Sequence, residues 1–131
     1  MILVDTSVWI DHLHRSEPVL IGLLESAAVL QHPMVLGELA LGSMRNRAEL
    51  LSSLAGLPST TLATHSEVMH LIEQQQLYGV GLSLVDAHLL ASVLLTESAS
   101  LWTRDKKLHT AAEDLGIAFS LEQGAPASSD A

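Results

Sequence analysis

Residues 1–13 read MILVDTSVWIDHL. Four apolar residues run into a carboxylate, Asp5, then two hydroxyls, Thr6 and Ser7, then a stretch in which Val8, Trp9 and Leu13 are spaced for one helical face. An apolar run this short reads as a strand buried on both faces, and a helix directly behind it makes the pair a βα unit of a parallel sheet. Asp5 stands at the junction, where it either caps the helix or holds a ligand.

Working outward, the same alternation continues. SEPVLIGLLES (16–26) predicts a helix capped by Ser16 with Pro18 in its first turn. AAVLQHP (27–33) predicts a second strand closed by Pro33, which opens a helix over MVLGELALGSM (34–44). Asn46 is placed to cap RAELLSSLAGL (47–57), and TTLA (60–63) is a short third strand. Thr64 and Glu67 have capping-box spacing ahead of the helix in 64–79, as do Ser83 and Asp86 ahead of the nearly all-apolar SLVDAHLLASVLL (83–95). ASLWT (99–103) is a fourth strand, DKKLHTAAEDLG (105–116) a helix, and IAFS (117–120) a fifth strand. The prediction is an α/β fold, a three-layer α/β/α sandwich on a short, mainly parallel sheet, in one domain over residues 1–121. The small, polar residues 122–131 are expected to be a disordered tail.

Composition narrows the function. With 48% apolar residues but only two Trp, one Tyr and one Phe, the core must be aliphatic, which makes Trp9 and Trp102 core residues rather than base-stacking platforms. The absence of cysteine excludes disulfides, thiolate zinc sites and a cysteine nucleophile, leaving oxygen and imidazole as metal ligands. Fifteen acidic against six basic residues give a formal charge of −9, which argues against a protein that coats phosphates non-specifically. No apolar run is long enough to span a bilayer, and Asp5 interrupts any signal-peptide core, so the expected location is the cytoplasm.

Four acids stand out: Asp5, Glu38, Asp86 and Asp105. Three have local explanations as helix caps. Glu38 has none: the residues three and four away, Met34, Val35, Leu41 and Gly42, are apolar or small and offer no cation, so it is expected to be half-buried and in need of one. In a parallel sheet, Asp5, Asp86 and Asp105 would all point to the carboxyl end of the strands, where ligands bind. Carboxylates gathered there repel unless a cation lies among them, and an all-oxygen set suits Mg²⁺ or Mn²⁺ better than zinc. The histidines read as mostly solvated, including His88, which shares a polar helix side with Ser92; His32, before a proline at a strand end, is the one placed to approach the site.

ILVDTSVWIDHL, GELALG around Glu38, GLSLVDAHLLASVLL around Asp86 and LWTRDKKL around Asp105, in that order, resemble the PIN-domain nucleases, in particular the VapC-type toxins of bacterial toxin–antitoxin pairs. The resemblance runs from residue 2 to about 120. It implies a Mg²⁺- or Mn²⁺-dependent endoribonuclease, homodimeric, acting on RNA and inhibited by a VapB-type antitoxin. Asp5, Asp86 and Asp105 would then be metal ligands, with Glu38 holding a metal-bound water or a second ion. Thr6 and Thr103 would orient the carboxylates by hydrogen bonds. Arg104, Lys106, Lys107, Arg45 and Arg47 are the cations placed to contact RNA phosphates. Two alternatives stand beside this reading: a non-catalytic module whose acidic pocket docks a partner, and a metal-dependent phosphatase. The dehalogenase-like form of the latter wants a second acid two residues after the first, where this chain has Ser7.

Overall fold

A computed structural model describes residues 1–120. Its elements run β1 (Ile2–Val4), α1 (Thr6–His14), α2 (Pro18–Glu25), β2 (Val29–Leu30), α3 (Pro33–Ala40), α4 (Arg47–Ala55), α5 (His65–Gln74), α6 (Leu84–Leu95), β3 (Ser100–Trp102) and α7 (Lys106–Asp114). The three strands form one parallel sheet in the order β2-β1-β3. Helices cover it, so the strands carry no polar face. Leu3, Val4 and Leu101 have no exposed surface, and each such side chain contributes about 2 kcal/mol relative to remaining in water. Trp9 and Trp102 belong to this core, Trp102 packing on Phe119 with ring centroids 5.1 Å apart.

The central strand is the first one. Ile2 pairs with Val29 on one side and with Ser100 on the other, and the ladder continues past β1 as the Asp5 amide donates to the Trp102 carbonyl at 2.9 Å. Strand order therefore reverses at β1, and the crevice at its carboxyl end is where such sheets bind ligands. Both capping boxes form as expected, Thr64 with Glu67 and Ser83 with Asp86.

Several expectations are corrected. Residues 60–63 are not a strand: only Ser59 bridges Gln31, and beyond it the amides of Thr61 and Ala63 donate to the hydroxyls of Thr96 and Ser92 instead of to a neighbouring strand. The fifth strand shrinks to one bridge, Ala118 on Leu101. Glu17, not Ser16, caps α2, its carboxylate accepting from the Val19 amide. Helix α3 ends at Ala40, whose carbonyl accepts two hydrogen bonds from the Arg47 guanidinium. Asn46 holds the cap position of α4 but makes no side-chain cap bond, since its backbone is left-handed at φ 52°. The expected tail over 122–131 lies outside the described residues. Among those described, no helix is long and apolar enough to cross a membrane.

Candidate active site

The carboxyl ends of β1 and β3 place Asp5 beside Thr103. Asp5 occupies the N-cap position of α1 but makes no cap bond with its side chain. Its Oδ2 instead accepts from the hydroxyls of Ser7 and Thr103, both at 2.8 Å. Each hydroxyl has one proton and both protons go to Asp5, so the 3.3 Å approach of Ser7 to Thr103 is a contact between acceptors. Asp5 Oδ1 makes no hydrogen bond among the described residues, although the residue is only 7% exposed. The two hydroxyls hold the carboxylate and leave one oxygen available.

Thr103 also reaches Asp105. Its oxygen accepts from the Asp105 amide at 3.0 Å while Asp105 Oδ1 caps α7 through the Leu108 amide, also at 3.0 Å. Ser7 in turn accepts from the Arg104 amide at 3.0 Å. Asp86, in the first turn of α6, uses Oδ2 to accept from the Ser83 amide at 3.0 Å. Burial pushes its carboxyl above the ordinary value; the hydrogen bonds with Ser83 pull the other way, and the charges of Asp5 and Asp105 push it further up. The charges of both aspartates thus reach Asp86, though more weakly than its burial does.

Glu38 differs from its expectation. It is exposed rather than half-buried, and it has a partner, the Thr6 hydroxyl donating to Oε1 at 2.6 Å. Thr6 is the first residue of α1 and adjoins Asp5, so the bond ties α3 to the start of α1. Glu38 also lines a cavity of about 550 Å³ with Ile10, Leu13, Leu39 and Arg45.

The basic residues divide. Arg104 is paired with Asp11 at 2.7 Å and with Glu17, and its guanidinium lies 5.7 Å from the centre of the Trp102 ring. Glu17 is held below the ordinary carboxylate value mainly by that guanidinium. Arg47 is engaged with the end of α3. The side chains of Lys106, Lys107 and Arg45 make no hydrogen bond or ion pair among the described residues. Lys107 lies over Gly81, where a β-carbon would come within 2.7 Å of its Cδ.

Two expectations about polar residues fail. Ser92 is fully buried, not solvated, and His32, 3% exposed, bonds to it: Nδ1 accepts from the Met34 amide at 3.0 Å and Nε2 lies 3.1 Å from Ser92 Oγ. Desolvation first, and the nearby charge of His88 second, lower the His32 pKa to about 4, so it is neutral at pH 7. His12 is likewise committed, its Nδ1 accepting from the Glu17 amide at 3.0 Å. Ser7, the hydroxyl that sequence reasoning left without a role toward Asp5, could have been flagged only by its place two residues after the acid; its other hydrogen-bond partner, the Arg104 amide, lies 97 residues away.

The donor set suits a hard cation. Asp5, Asp86 and Asp105 each commit one oxygen to a protein hydrogen bond, and the second oxygen of each makes none among the described residues. As placed, no three acidic or histidine side chains among the described residues converge closely enough to ligate one ion together. An ion here would be held by one or two carboxylates with water completing its shell, which is the habit of Mg²⁺.

The PIN domain model matches residues 2–114. Over 122 residues, 93% of this chain and 98% of theirs, the chain is 48% identical to proteins named Ribonuclease VapC32 from two strains of Mycobacterium tuberculosis, CDC 1551 / Oshkosh and ATCC 25618 / H37Rv. Matched along nearly its whole length, with a parallel sheet that brings acids to the end of its first strand, this chain belongs to the PIN-domain family and is of the VapC type.

Proposed function

We propose that the chain is the ribonuclease toxin of a VapBC-type pair and that it hydrolyses RNA at the site around Asp5 with Mg²⁺ or Mn²⁺. The observation that carries the site is Asp5 itself. A carboxylate at a helix N-cap that makes no cap bond, is fixed through one oxygen by two hydroxyls and keeps the other free is arranged to hold something. The charge repulsion felt by Asp86 from Asp5 and Asp105 supports the same conclusion, since a divalent cation would relieve it.

In this reading Asp5 and Asp86 are the main ligands, Asp105 completes the site through water, and Glu38 orients the attacking water from the exposed side. A bound cation would supply Lewis acidity, making a neutral-pH nucleophile from water and offsetting charge on the phosphate. Thr103 and Ser7 keep Asp5 from rotating, and Thr6 holds Glu38 toward α1. Of the cations, Lys106, Lys107 and Arg45 are the ones available to backbone phosphates; Arg104 and Arg47 are already engaged within the fold. The partners that follow are RNA, a VapB-type antitoxin and a second copy of the chain, in the cytoplasm.

The test compares wild type with Asp5→Asn, Asp86→Asn and Glu38→Gln on a labelled structured RNA, with Mg²⁺, with Mn²⁺ and with EDTA. Wild type should cut only with the metal, leaving 5′-phosphate and 3′-hydroxyl ends, and each variant should lose at least about 100-fold in rate, the scale on which removing one stabilising group from a transition state acts. Equal cleavage by wild type and variants would remove these residues from the chemistry.

A further inference from the structure

The bond between His32 and Ser92 joins the two helices that carry Glu38 and Asp86. His32 stands at the cap position opening α3, and Ser92 lies in the buried middle of α6. A backbone amide can only donate, so Nδ1, which accepts from Met34, carries the lone pair and the ring proton sits on Nε2. Nε2–H therefore donates to Ser92 Oγ at 3.1 Å. The same oxygen accepts from the Ala63 amide at 3.1 Å, so three segments meet at one buried hydroxyl. Among the described residues this is the one side-chain hydrogen bond between α6 and the segment that opens α3.

Its position relative to the acids is symmetrical. Glu38 lies six residues after His32, and Asp86 six residues before Ser92; at 1.5 Å per residue each acid is about 9 Å along its helix from the bond. The other tethers of these acids do not join the two helices, since Glu38 is held to Thr6 on α1 and Asp86 to Ser83 in its own first turn. A side chain buried to 3% exposure, with both nitrogens satisfied by fixed partners, has one orientation, and it transmits that rigidity to both helices.

We propose that His32 is a positioning residue of this site: by pinning the start of α3 to Ser92 it sets the distance between Glu38 and Asp86. This rests on the metal-site reading given under Proposed function. Groups that hydrogen-bond a metal ligand alter affinity by about 10- to 100-fold when removed, and His32, which acts through the placement of two helices, should act at the lower end of that range. His32→Asn keeps an acceptor for the Met34 amide but is too short to reach Ser92. Ser92→Ala keeps the cap and deletes the hydroxyl. The double variant removes both ends of the one bond.

The experiment titrates Mn²⁺ alone into the full chain, without RNA, and follows free Mn²⁺ by electron paramagnetic resonance. Circular dichroism and a melting curve are recorded for each protein. Leu20→Ala, which opens a cavity under α2, a helix that carries neither the bond nor any of the four acids, controls for lost stability. Expected is Mn²⁺ binding about tenfold weaker in His32→Asn and in Ser92→Ala. The double variant should be no weaker than the worse single one, and Leu20→Ala should keep wild-type affinity. Wild-type affinity in folded His32→Asn and Ser92→Ala overturns the proposal and leaves the metal reading intact, as does an equal weakening in Leu20→Ala. Failure of wild type to bind Mn²⁺, or undiminished binding by Asp5→Asn, overturns the metal reading and this proposal with it.

Discussion

Acid should unfold this protein partly through one imidazole. In an unfolded chain His32 titrates near 6.5; in the fold, burial and the neighbouring charge of His88 lower it to about 4. Between these values the unfolded chain holds the proton and the folded chain does not, so stability rises with pH across that window. The contribution is fully present above about pH 6.5, is lost as pH falls toward 4, and does not change further below it. The gap corresponds to about 3 kcal/mol at about 1.4 kcal/mol per pH unit, a large share of the 5–15 kcal/mol typical of a domain. The structural cause is specific: a proton arriving on Nδ1 would face the Met34 amide, donor against donor, and open the cap of α3. Other groups act in both directions. Glu17, held low by Arg104, adds a loss at more acid pH, whereas Asp86, pushed up by burial, gains stability as it protonates. Urea unfolding followed by the fluorescence of the buried Trp9 and Trp102, at steps from pH 7.5 to 4.5, measures the sum, and the same series on His32→Gln isolates the imidazole. The variant should be less stable at pH 7, and the two curves should converge by pH 4.5. Parallel curves across that range would refute the reasoning.

Two further perturbations test other parts of the structure. Arg104→Ala removes ion pairs to Asp11 and Glu17 and the stacking over Trp102, but the side chain is 36% exposed, so the loss should be about 1 kcal/mol and should shrink in 1 M NaCl, measured by urea midpoints in low and high salt. Thr60→Val deletes a hydroxyl that is buried without a hydrogen-bond partner among the described residues while keeping the shape, so thermal melting should be unchanged or raised; a loss above about 1 kcal/mol would show that the hydroxyl is bonded after all.

What was legible in the sequence was what is decided locally. The capping boxes at Thr64 and Ser83 span three residues each, and both form. The first βα unit follows from an apolar run and one helical face, and it is there. What was missed depends on partners far along the chain. Residues 60–63 had the composition of a strand, yet their amides are taken by hydroxyls on and just beyond α6, 29 and 35 residues away. Glu38 lacked a partner within its own helix and was expected to be half-buried, but Thr6 bonds it from 32 residues back. Arg104 sits beside Asp105 in sequence and so read as a phosphate contact, while its charge is matched by acids 87 and 93 residues earlier. Ser92 reads as polar and therefore near water, and His32 only as a strand-end residue placed to approach the site; periodicity cannot distinguish an exposed polar residue from one of a buried pair that satisfy each other.

The opposition between a capping and a ligating role for the aspartates dissolves once their oxygens are treated separately. Asp86 and Asp105 each give one oxygen to a helix N-terminus, and Asp5 gives one to two hydroxyls. Anchoring one oxygen fixes the direction of the other, so a capping bond and a free, oriented carboxylate oxygen are compatible in one residue. The helix N-termini at Asp86 and Asp105 also carry partial positive charge, which offsets part of the repulsion among three acids held in one neighbourhood. Asp5 is the exception that makes the arrangement informative. Its position would let it cap α1, yet neither oxygen does so: Ser7 and Thr103 both hold Oδ2, and Oδ1 makes no hydrogen bond among the described residues. A carboxylate needed only to start a helix would have no use for a threonine 98 residues away; one that must stay fixed at the end of the central strand does.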